Sequence, residues 1–286
     1  MRVDLHRARV AEYADAFVRR RSRGEKHPVH DFLFTYYPFS PNKLKHWVPA
    51  LGEVLEMDAA AAEKYPWLLD LPLCQNDGEL LLDANRIDKA ALRAAMLIEQ
   101  LCAALLERAP RFSCFGLHEW AMVYRQPAEQ VRHQGYELRL SAEALAEFVE
   151  AQPLNCTHYD AFRFFTPEAR PLNAIQPTLE TRVQNEQSGC LHANMDLYKW
   201  CTKLWPWCGS ELLADTFLLA LEGREMDMRA SPYELRHLGY EPIAIETTAG
   251  REQYRLEQQA LQEKAQPLRV RVKAAAQAVM NAAAGA

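Results

Sequence analysis

No apolar run in this chain approaches the roughly 20 residues that span a bilayer, so the sequence offers no transmembrane helix. The N-terminal MRVDLHRARVAEYADAFVRRR carries charge at helical spacing and lacks the apolar core of a signal peptide. No two cysteines are spaced CxxC, and the seven (Cys74, Cys102, Cys114, Cys156, Cys190, Cys201 and Cys208) are an odd number. Reduced thiols in a cytoplasmic protein are the expectation. Nucleotide-phosphate loop, dinucleotide fingerprint, nucleophile elbow and HExxH are all missing, which sets aside the classes those motifs define. Positive charge is not in excess either. The formal net charge of -5 is no footprint for a protein that coats nucleic acid. Two local basic runs, Arg19 to Lys26 and Arg269 to Lys273, read as solvated helix faces.

What is present is an ordinary globular mixture, 286 residues with 49% hydrophobic and 25% charged. That length holds a core needing no disulfide or metal to close it. A 3.6-residue apolar period dominates. It predicts helices over 3–22, 41–47, the run after Asp58, 88–108, 141–151, 178–203, 210–222, 252–264 and 268–283, the last two split by Pro267. Short strands are expected at 113–117, 120–125, 135–140 and 242–248. A small hairpin is expected between Asp70 and Asp83, around an Asn-Asp-Gly turn. The fold expectation is mainly α: one multi-helix domain over 1–286 with a minor short-stranded β element.

Polar groups collect in five aromatic-rich segments: 26–41, 115–125, 155–167, 188–200 and 224–235. Four of them hold a histidine within four positions of a carboxylate. In SGCLHANMDLYKW, His192 and Asp196 are four apart and share a helical face, beside Lys199. In NCTHYDAFRFFTP, an extended chain would place Cys156, His158 and Asp160 on one side. A histidine beside an aspartate serves as a base with its orienting partner, or as two metal ligands. Glu119, among aromatics, is a candidate acid or base. Each residue also has a plain reading, as a satisfied core histidine or an ion-paired carboxylate. Taken together, the segments suggest a shared aromatic-lined polar pocket suited to a flat heteroaromatic ligand.

The strings RRRSRGEKHPVHDFLFTYYPFSPNKL, HYDAFRFFTPEARPLN, QSGCLHANMDLYKW and MDMRASPYEL resemble a bacterial family that carries the label 3-methyladenine DNA glycosylase. The resemblance covers most of the chain. It implies a hydrolase of DNA repair that releases alkylated purines from DNA without a cofactor, stacking the extruded base on aromatic side chains. A carboxylate would then stabilise the oxocarbenium-like sugar or activate water. Under this reading Asp160 is the first candidate, then Glu119 and Asp196, with His158 and His192 as catalytic companions. Tyr159, Phe162, Tyr198 and Trp200 are the stacking candidates. Arg163, Lys199 and Arg229 are candidates for holding phosphate or a substrate carboxylate.

A second reading remains open. A helical scaffold can bring histidines and carboxylates from separate helices into one core site. His158, His192, Asp160, Asp196 and Glu119 would then ligate a divalent transition metal, iron or zinc, in an oxygenase or hydrolase acting on a small molecule. A third reading is a non-catalytic ligand-binding protein. None of the three calls for a membrane, and none fixes the oligomeric state.

Overall fold

Local capping chemistry sets where the helices of this protein begin. The structure is a computed structural model that describes residues 2–76, 79–127 and 135–285. Its helices are α1 Arg2–Ser22, α2 Phe32–Thr35, α3 Pro41–Lys45, α4 Ala59–Lys64, α5 Lys89–Glu107, α6 Leu117–Ala121, α7 Ala142–Glu150, α8 Tyr159–Phe162, α9 Arg182–Asn185, α10 Leu191–Leu204, α11 Ser210–Ala230 and α12 Thr248–Gly285. Ser40, Asp58, Asp88 and Ser141 each accept a backbone N–H three residues on, from Lys43, Ala61, Ala91 and Ala144. Each satisfies a first-turn donor that would otherwise be orphaned. At the other end of α1, Arg19, Arg20 and Arg21 occupy the last turn, where the helix dipole favours cations.

The mainly helical expectation holds, with a minor β element. Strands β1 Leu73–Asn76 and β2 Glu79–Leu82 pair antiparallel, Leu73 opposite Leu82. The Asp77-Gly78 part of the expected turn lies outside the described residues. No helix among the described residues is long and apolar enough to cross a membrane.

Several boundaries differ from the sequence expectation. Segments 113–117 and 120–125 are not strands. Phe115 and Gly116 both adopt positive φ, 45° and 71°, which ends any extended run and turns the chain into α6. Segment 242–248 forms no strand, and 135–140 contributes only an isolated bridge between Leu138 and Tyr233. The helix expected over 178–203 is interrupted: Glu186 is extended, and α10 starts only at Leu191. The stretch 155–160 is not a strand either, because His158 caps α8 by accepting the Ala161 N–H. Pro267 does not split the last helix. α12 runs through it for 38 residues; one missing N–H donor is a small fraction of so long a ladder.

The chain divides into two compact units. The first comprises Met1–Ala103, Asp196–Ala220 and Pro267–Ala286, the second Ala104–Met195 and Leu221–Gln266. In the first unit, the Ser210 hydroxyl donates to the His46 carbonyl and accepts from the Val48 N–H. Asp215 takes both Arg9 and Arg271. The His6 ring bonds the Leu44 carbonyl from a buried position, 2.8 Å away. In the second unit, fully buried Trp120 donates its indole N–H to the Ala230 carbonyl, meets Phe148 edge-on and lies beneath the Arg139 guanidinium.

The His27 region of the first unit carries a pH prediction. The Nδ1 of His27 accepts the backbone N–H groups of Val29 and His30, and its ring stacks on that of His30. Burial, then the neighbouring His30 and Arg20, lower its pKa from 6.5 to about 4, against the opposing pull of Asp31. The folded chain therefore binds this proton less readily than the unfolded one. Stability is lost as pH falls from about 6.5 towards about 4. In His27→Asn the melting temperature should fall less over that interval than in the wild type. An equal fall in both would refute the assignment.

Candidate metal centre

The centre lies in the second unit and is assembled from three elements. α6 supplies His118 and Glu119, the first turn of α10 supplies His192, and α11 supplies Arg224 and Asp227. All five are buried. Gly116 places α6: its left-handed φ of 71° is open to glycine, and a Cβ there would stand 3.2 Å from the Tyr254 ring. Before α10, the Gln187 side chain acts as a splice. Its Oε1 accepts the backbone N–H groups of Arg111 and Gly189, and its Nε2 donates to the Arg111 carbonyl. Gly189 makes this possible, since a Cβ there would fall 2.4 Å from the Arg111 oxygen. The Gln258 amide donates to the Gly189 carbonyl and fixes the same corner.

The geometry is tight. His118 Nε2 and Asp227 Oδ1 are 2.7 Å apart. The other Asp227 oxygen accepts from Arg224 Nη1 at 2.6 Å, and the same nitrogen donates to Glu119 Oε1 at 2.8 Å. The His192 ring meets that of His118 edge-on, centroids 4.4 Å apart. One ligand atom from each of His118, His192 and Asp227 lies within 4.8 Å of the others. Burial pushes the Asp227 carboxyl upward. The charges of His118, Arg224 and His192, with the His118 hydrogen bond, overcome that and hold it well below the usual carboxylate range. Arg224 shows the mirror image: burial alone would lower its pKa, and Glu119 and Asp227 raise it instead.

His118 and His192 also border a cavity of about 10 Å³, with Cys114, Cys156, Thr157, Gln187, Cys190 and Leu191. That is room for about one water. The three thiols are raised by burial, Cys156 to about 12 and Cys190 well above its ordinary value. All three are therefore protonated, uncharged walls at neutral pH.

The candidates named from sequence are placed as follows. His192 and Glu119 belong to this centre. His158 lies beside it, its ring centroid 5.4 Å from that of His192. Its Nδ1 is spent on capping α8, while its Nε2 stands 3.6 Å from buried Glu186. Asp160 bonds Arg182 at 2.5 Å and approaches Arg163 at 3.5 Å. Phe162 packs on Phe165, Tyr159 is half-buried, and Arg229 pairs with Glu257 and the Glu241 carbonyl. Asp196 belongs to the first unit, where it accepts from the Tyr37 hydroxyl at 2.8 Å and from Lys199 at 3.0 Å. Lys199 also lies over the Trp200 ring, and Tyr198 is buried between Tyr37 and Phe217. The sequence reading passed over Arg224 and Asp227. Their signal was the RxxD spacing in REMDMRASPYEL, an acid and a base one turn apart on a helix that also carries Arg229.

No protein-family model matches this chain, and no curated protein or solved structure matches it either.

Proposed function

We propose that this chain is a metal-dependent enzyme whose divalent ion sits among His118, His192 and Asp227. The observation that carries the reading is the convergence of two imidazoles and one carboxylate, from three helices, to within 4.8 Å in a buried site. Two histidines and one carboxylate suit non-haem iron or a catalytic zinc, and leave coordination positions free for an exogenous ligand. Ligands at about 2.1 Å around a tetrahedral ion stand roughly 3.4 Å apart. The 2.7 Å between His118 and Asp227 thus needs only a small outward shift, with the ion replacing the hydrogen they share. Arg224, itself bonded to Glu119, holds the far oxygen of Asp227, so it would ligate through one oxygen in a fixed orientation. When bound, the ion supplies Lewis acidity, and redox chemistry if it is iron.

The test is elemental analysis of protein purified without chelator. Stoichiometric iron or zinc is expected, lost in His192→Ala with the helical circular dichroism retained. A folded wild type that takes up neither metal, even on loading, would sink the proposal. The glycosylase activity implied by the resemblance is tested alongside, on alkylated DNA with Asp160→Asn as control. Base release by the metal-free protein would place the chemistry in the reading that resemblance carries.

A further inference from the structure

Resting on the metal reading, the geometry points to a neutral diatomic molecule, of the dioxygen and nitric oxide class, as the exogenous ligand of this centre. Three observations lead there. Two of the three ligand residues, His118 and His192, line the cavity, so what occupies it lies against their side chains. At about 10 Å³ it holds about one water. An organic ring or a carboxylate-bearing substrate needs a pocket of hundreds of Å³.

The walls are also fixed. Gln187 is tied to Arg111 at both ends of its amide, Gly189 abuts the Arg111 backbone without room for a methyl group, and Gln258 clamps the Gly189 carbonyl. Widening the cavity would mean breaking buried hydrogen bonds together. Thiols, Leu191, Thr157 and an amide whose oxygen already accepts two backbone N–H groups form the remaining lining. None of these carries a formal charge. A small, uncharged, weakly polar molecule fits both the volume and the walls.

The experiment uses the full chain loaded anaerobically with ferrous iron, its iron content measured first. Nitric oxide is then added as the probe and the sample read by electron paramagnetic resonance. Imidazole and catechol serve as larger comparison ligands. The expected result is the high-spin ferrous-nitrosyl signal in proportion to bound iron, with no spectral change from imidazole or catechol in large excess. Leu191→Ala, which removes wall volume, should then admit imidazole; the wild-type ligand series decides the matter if that variant does not fold. Bound iron that gives no nitrosyl overturns the inference and leaves the metal reading standing, as does wild-type protein that coordinates imidazole or catechol. Failure to bind iron or any other transition metal overturns the metal reading, and the inference with it.

Discussion

Arg224→Met should be among the most destabilising single substitutions in the second unit, costing about 3–5 kcal/mol at neutral pH. One guanidinium nitrogen serves two buried carboxylates, Glu119 and Asp227. Its removal strands both in a low-dielectric interior, with only the His118 hydrogen bond left to Asp227. Asp227→Asn should cost less, because Arg224 keeps Glu119. The deficit also has a pH signature. In the wild type, the depressed pKa of Asp227 contributes stability above the unfolded carboxylate value near 4, and that contribution is lost as pH falls through the folded value. In the variant, Asp227 loses the charge of Arg224 and its carboxyl titrates upward, so folding is opposed most at neutral pH and less in acid. Urea melts of both proteins at pH 7 and pH 5 should show the gap narrowing on acidification. A gap that does not change with pH would mean the loss is packing, not charge.

Gly189→Ala is the second. The added methyl would lie 2.4 Å from the Arg111 oxygen and 2.9 Å from its nitrogen, both backbone atoms. No rotamer change relieves that, so chain must move. Ordinary overpacking costs about 1–3 kcal/mol, and a clash against backbone belongs at the top of that range or above it. The movement would also part Gln187 from Arg111 and shift the start of α10, three residues from His192. Stability and metal affinity should therefore fall together. Gly135→Ala, with nothing within 4 Å of the new atom, is the control and should change neither. Loss of stability with unaltered metal affinity would separate the splice from the centre.

The helical scaffold was legible in the sequence because capping and periodicity are local. Asp58, Asp88 and Ser141 announce their helices within three residues. The interruption before α10 was not legible, because its cause is Arg111, 76 residues from Gln187 in the chain. The centre was half legible. His192 and Glu119 stood out as polar groups among aromatics, and REMDMRASPYEL was marked as unusual. The RxxD spacing shows the pairing of Asp227 with Arg224 but not its place beside His118, 109 residues away. Neighbouring pairs along the chain misled: Asp196 turns to Tyr37, and Asp160 to Arg182. The carboxylate that meets these histidines comes from another helix, which an i,i+4 rule does not reach.

The shared guanidinium has one more consequence, in oxidation state. Arg224, Glu119 and Asp227 together carry one net negative charge, and histidines that ligate a metal do so as neutral imidazoles. A divalent ion would turn that to one positive charge, and a trivalent ion to two. Every extra unit of uncompensated charge in a buried site is costly. Iron held here should resist oxidation, with a reduction potential that falls when Arg224 is replaced by a neutral residue.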